Sequence, residues 1–176
     1  IAADAYNGTP LWELETPDNR RLANPRDSGH MAAAGDLLYA AVHDECWVLD
    51  GATGERVATY PAPQLAGDGK RDWGYIAVVD DFLLGSGQRP DASYTTMSTL
   101  GDFEIQWGDF KRLLTSDYLF CMDRRTGKVL WTRRGGLFIH PAIAAGAGRL
   151  YFIESHSRTA ARDLNGRSNL EVLWDN

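Results

Sequence analysis

Chemistry has few places to sit in this chain. The 176 residues include 4 His and 2 Cys. None stands in a Cys-x-x-Cys, His-x-His or haem-attachment spacing, so neither a zinc site nor a redox dithiol is written locally. No Gly-rich phosphate loop runs from a strand into a helix, and no Gly-x-Ser-x-Gly elbow occurs. What remains is a scattered set: Arg26, Asp27 and His30, then Arg71, Asp72, Trp73 and Tyr75, then Trp107 and Asp109, and finally His140. Guanidinium groups, carboxylates, imidazoles and flat rings suit a binding surface for a polar, flat or cationic ligand. No catalytic residue is assigned among them. His30 and His140 stand too far apart in the chain's architecture, as set out below, for a metal site to be expected.

Scattered residues make a site only if the elements between them converge. The stretch from Leu119 to Trp131, LFCMDRRTGKVLW, reads as a β-hairpin: an apolar strand, a turn from Asp123 to Gly127, and an alternating strand closing on Trp131. Asp at the entry of such a turn accepts backbone N–H bonds, and Gly takes the left-handed conformation that closes it. The phrase recurs. Asp4, Gly8 and Trp12 stand at the same spacing. Asp50 and Gly54 repeat it with Ala58 in place of the Trp. Asp163 and Gly166 begin a last copy whose Trp174 is out of register.

Between the hairpins lie further short strands separated by turn signals. They are His30–Gly35 and Leu37–Val42, Ile76–Val79 and Phe82–Ser86, and Pro141–Ala145 and Arg149–Glu154. Asp4 to Asp50 is a period of roughly 45 residues, and Asp50 to Asp123 exceeds it by roughly the length of one intrusion. Four short strands per period make the fold class all-β, a β-propeller of four-stranded antiparallel blades. A lone four-stranded sheet, apolar on both faces, must stack on neighbours.

The expected organisation is one partial propeller domain over residues 1–176. Residues 1–15 form the outer hairpin of one blade; 22–63, 71–135 and 137–176 are complete blades; 88–115 is an insertion, the one place where a helix is expected. About three and a half blades cannot close a ring and would leave strand edges exposed. The chain is therefore expected to be part of a seven- or eight-bladed propeller whose remaining blades are its first partners.

The phrase Ala-x-Asp-x-x-Thr-Gly-x-x-x-Trp, as in Ala2 to Trp12 and, with Cys121 leading, in Cys121 to Trp131, resembles the repeat of the pyrroloquinoline-quinone-like (PQQ-like) propellers. The resemblance covers the chain except for 87–116. It implies that each Trp docks between adjacent blades, which makes Asp4, Gly8, Trp12, Asp50, Gly54, Asp123, Gly127, Trp131, Asp163 and Trp174 structural. The dehydrogenases of that family resemble one another in an adjacent Cys-Cys pair, a calcium held by Glu and Asn, and a catalytic Asp. Cys46 and Cys121 are not adjacent, and both fall in strands, where a free thiol is usually a small buried hydrophobe.

The expectation is a non-catalytic module without a cofactor that binds a protein partner or a small polar ligand. Its binding face is the channel mouth under the insertion, where the connections into the inner strands also open. One alternative is a quinone-dependent oxidoreductase with PQQ and calcium, in which Asp27, Asp72 or Asp109 acts as base. Another is a carbohydrate-binding propeller using Trp73 and Trp107. A net charge of −6 without a basic cluster argues against nucleic acid. No apolar run approaches the roughly 20 residues of a membrane helix. The resemblance leans towards a periplasmic or extracellular location.

Overall fold

The computed structural model describes residues 1–16, 29–90, 92, 112–164 and 166–175. It opens on a two-stranded hairpin, β1 (Ala2–Ala3) and β2 (Pro10–Trp12). A four-stranded antiparallel sheet follows: β3 (Met31–Ala34), β4 (Leu37–Val42), β5 (Glu45–Asp50) and β6 (Arg56–Pro61), paired in chain order. A second sheet is built from β7 (Asp72–Val79), β8 (Phe82–Gln88), β9 (Arg112–Asp123), β10 (Val129–Gly146) and β11 (Arg149–Ser155). The architecture is all-β and antiparallel, in meandering blades.

Three expectations are corrected here. Gln88 and residues 112–115 fall in the expected insertion but are strand residues, because pairing along β8 and β9 extends past the apolar cores of those strands. Residues 71–135 and 137–176 are not separate blades. β10 is one strand of 18 residues that pairs with β9 as far as Ile139 and with β11 through Leu137, Phe138 and residues 143–146. The pairing register slips between Arg134 and Phe138, across Gly135-Gly136, where the absent Cβ atoms leave room for Glu154 and the Ser155 carbonyl.

The third correction is the last hairpin. The chain instead makes α1 (Arg158–Ala161), β12 (Arg167–Asn169) and α2 (Leu170–Trp174). Ser157 caps α1, its Oγ accepting the Ala160 N–H at 3.1 Å. Gly166, with φ 64°, sends the chain back so that β12 pairs with the start of β9. Asp163 and Trp174 are therefore not repeat fasteners, and Trp174 ends α2 largely exposed.

The other three turns share one geometry. Asp4, Asp50 and Asp123 each accept the N–H groups two and three residues on, at 2.8 to 3.1 Å. Thr53 and Thr126 add their hydroxyls to Asp50 and Asp123. Gly8, Gly54 and Gly127 close the turns with φ of 75°, 74° and 69°. At Gly54 and Gly127 an aromatic ring from the preceding part of the chain then covers the glycine. Trp12 lies against Gly54 and donates its indole N–H to the Gly51 carbonyl at 2.9 Å. Copy two lacks the Trp, but Ala58 and Tyr60 share a strand face. Tyr60 covers Gly127 and donates its hydroxyl to the Arg125 carbonyl at 2.9 Å.

Between the two sheets lies the main core. Tyr39, Cys46 and Val48 from one side meet Trp73, Ile76, Leu83, Phe120 and Met122 from the other. Trp73 and Phe120 pack edge to face with ring centroids 4.8 Å apart. Burial pushes the Cys46 thiol up to about 12 and raises Cys121, which disfavours the thiolate at both.

Two outcomes follow from the turns. Gly127→Ala should destabilise by roughly 1–3 kcal/mol in denaturant titration, because the new Cβ is strained at positive φ and meets the Tyr60 ring. The Asp50 and Asp123 carboxyls sit below their ordinary value because they accept Thr53 and Thr126 hydrogen bonds. Their contribution is present above the ordinary carboxyl range and is lost as pH falls through the depressed folded values. Thermal unfolding followed from neutral pH downward should show this loss, and the Asp50→Asn, Asp123→Asn double variant should blunt it.

Candidate functional site

Antiparallel register brings several sequence-predicted residues to one end of the second sheet. Asp72, which opens β7, pairs with Gln88, which closes β8. Gln88 pairs with Ser116 near the start of β9, and Thr115 pairs with Ile139 of β10. The segment joining β8 to β9 therefore leaves and returns at the end that carries Arg71, Asp72, Trp73, Tyr75 and His140. Arg26, Asp27, Trp107 and Asp109 lie outside the described residues. His30 stands ahead of β3 in the neighbouring sheet, its carbonyl accepting the Ala41 N–H at 2.9 Å.

At the centre of this end is a sealed polar cluster. His140 is 1% exposed. Its Nε2 lies 2.5 Å from Ser116 Oγ and 3.3 Å from Ser86 Oγ. Ser116 donates to Ser86 at 2.8 Å, and Ser86 accepts the Tyr75 N–H at 2.7 Å. Gly74 makes the arrangement possible: a Cβ there would stand 2.5 Å from Ser86 Oγ and 2.7 Å from the imidazole ring. A glycine inside an apolar strand marks such a close approach, and this was the one signal the sequence carried for the cluster.

Beside it, Asp117 is held by two arginines. Arg71 Nε donates to its Oδ2 at 2.6 Å, and Arg89 reaches both oxygens, at 3.0 and 3.2 Å. The three side chains are about one-seventh exposed, so the ions are screened little by solvent. Gln64 pins Arg71 by bonding both its N–H and its carbonyl. Arg89 continues to the carbonyls of Ala161 and Asp163. Arg167, also buried, donates to the Ala92 carbonyl. The α1–β12 segment is thus stitched onto both ends of the β8–β9 connection.

The cluster's chemistry is that of a floor. A histidine between two hydroxyls and a carboxylate between two guanidinium groups are rigid and internally satisfied. Trp73 is not the flat platform expected of it. The alternation of β7 turns its indole into the core, where it is fully buried. Tyr75 packs half-buried beside Leu119 and Phe138, and burial raises its hydroxyl pKa. Among the described residues no three His, Cys, Asp or Glu side chains gather to hold a metal. Sequence reading missed Ser86, Ser116, Arg89 and Asp117 because serines in strands and single charges carry no spacing signal.

Comparison with known proteins adds likenesses of fold. No family model matches the chain, and no curated protein matches it. Among solved structures, a europium-containing methanol dehydrogenase is 17% identical over 62% of this chain and 16% of its own, with a TM-score of 0.38. BamB from Moraxella catarrhalis is 19% identical over 85% of this chain and 50% of its own, with a TM-score of 0.38. The computationally designed Ika8 protein is 11% identical over 70% of this chain and 42% of its own, with a TM-score of 0.33. The chain spans half or less of each of these structures.

Asp117→Ala should strand two poorly solvated guanidinium groups and cost about 3–5 kcal/mol, the range for breaking a buried pair by removing one partner. Chemical denaturation measures it. Asp117→Asn should recover part of the loss through hydrogen bonding.

Proposed function

We propose that the chain is a propeller-type binding or scaffolding module whose recognition surface is the segment between β8 and β9, carried on the polar floor beneath it. One observation carries this reading. The long connection is clamped at its foot by Arg89, which bonds Asp117 and two carbonyls of the α1 segment, and by Arg167 on the Ala92 carbonyl. A connection that is long and anchored at its base is the usual design of a binding loop on a rigid scaffold. The floor favours binding over catalysis, since His140 is closed off between two serines. The occupant in this reading is a protein partner or a small polar ligand, with no resident cofactor. A periplasmic or extracellular setting goes with the repeat's resemblance.

Replacing residues 93–111 with a short Gly-Ser turn keeps both anchors and should leave the far-ultraviolet spectrum and melting temperature nearly unchanged. A partner captured by the immobilised full chain and identified by mass spectrometry should be lost from the trimmed one. Equal retention by both would overturn the reading. Dye-linked turnover on adding the quinone with calcium would overturn the non-catalytic part of it.

A further inference from the structure

Glu154 is a carboxylate that the polar floor does not use, and it sits where β10 changes partners. On the β9 side, Arg134 pairs with Tyr118 and Phe138 with Ser116, so residues 135–137 of β10 face the single β9 residue Asp117. The Asp117 carboxylate is itself taken by Arg71 and Arg89. Three residues against one make a bulge, and a bulge bends the strand that carries it. Glycines form it because nothing larger fits. A Cβ on Gly135 would collide with the Glu154 carboxylate, and one on Gly136 with the Ser155 carbonyl. Beyond the bulge, Leu137 and Phe138 pair with Ser155 and Glu154 of β11.

Where the ladder with β9 lapses, Glu154 takes its place. Its Oε1 accepts the Gly136 N–H at 2.5 Å, and its Oε2 accepts a bond from Arg133 Nη2 at 3.2 Å. The Arg133 guanidinium lies over the Phe152 ring, 5.3 Å from its centroid, on the strand that bears Glu154. His156 Nε2 stands 3.6 Å from Oε1. Among the described residues, the charged or titratable groups facing the carboxylate are therefore Arg133 from β10 and His156 from the chain after β11. The Glu154 side chain is 13% exposed, so water competes little for it. Burial opposes the charged form, but the Gly136 N–H and Arg133 outweigh it and hold the Glu154 carboxyl below its ordinary value.

We propose that Glu154 is an acid-released latch on the glycine joint of β10. While ionised, it pins Gly136 and Arg133 together and the joint is stiff. Once protonated, it loses its ion pair with Arg133 and holds the Gly136 N–H less strongly, since the bond is no longer charge-assisted. Two glycines with no side chains to pack are then left to open, as small residues do at hinges. The strand pairs on either side, residues 129–134 with β9 and 143–146 with β11, have ladders of their own and stay closed. The latch's contribution is present above the ordinary carboxyl range and is lost as pH falls through the depressed folded value. Asp50 and Asp123 titrate in the same direction, but they act at the hairpin turns and not at the joint. The device stands or falls without the β8–β9 connection.

Amide hydrogen exchange of the full chain, read at Gly136 and corrected for the intrinsic rate at each pH, tests this. Gly136 should be protected at neutral pH and lose that protection in acid, while Leu119, Phe120 and Cys121 keep theirs. Glu154→Gln keeps an acceptor for the Gly136 N–H but cannot titrate, so protection at Gly136 should no longer depend on pH. Arg133→Gln should shift the opening to higher pH, because the charge that favours the carboxylate is gone. Glu154→Ala should speed exchange at Gly136 at neutral pH by about tenfold or more, the loss expected of a hydrogen bond to a charged group. Opening at the same pH in the unaltered and Glu154→Gln chains, or Gly136 exchange that follows global unfolding at every pH, would overturn the proposal.

Discussion

The structure depends on an aromatic ring laid on a glycine turn. A four-stranded antiparallel sheet has two faces to cover and cannot cover both itself, so each blade needs its neighbour. At Gly54 and Gly127 the glycine is needed twice: for its positive φ, and because any Cβ would occupy the space the ring fills. The Asp at the turn's entry holds the backbone in the shape that presents the glycine. Hydrogen bonds from Trp12 and Tyr60 to turn carbonyls far along the chain then tie each strand pair to the next.

The far end of the second sheet is polar and yet closed. The main core buries the Trp73–Phe120 pair, and His140 of β10 lies against Gly74 of β7. Polar groups so enclosed must satisfy one another. Ser86 and Ser116 do this for His140, and Arg71 and Arg89 do it for Asp117. The outcome is a stiff platform beneath the β8–β9 connection, and any recognition there is borne by the connection.

Where the repeat phrase decays, the architecture changes with it. In copy two the loss of the Trp is repaired by Tyr60, since period-two alternation offers a second position on the same face. In the last copy no such repair exists. Asp163 and Trp174 are eleven positions apart where the intact copies keep eight, so turn and ring cannot meet, and local capping by Ser157 prevails. Among the described residues, no strand pairs with the outer edge of β11, and Trp131 is partly exposed.

By itself the sequence determined the class of fold, the hairpins at Asp4, Asp50 and Asp123, and the fact that Gly54 and Gly127 serve structure. These are local matters, since turn chemistry and strand alternation act within a dozen residues. It also placed Arg71, Asp72 and His140 at one end, because meander topology follows from connection lengths. Tertiary structure alone decided the rest. Whether Trp73 faces a ligand or the core depends on which face of β7 meets the other sheet. The Ser86–Ser116–His140 and Arg71–Asp117–Arg89 clusters join residues up to 54 positions apart. The continuous β10 and the helical end of the chain arise from competition between a decayed repeat and nearby pairing partners, and that balance is struck only when the blades pack.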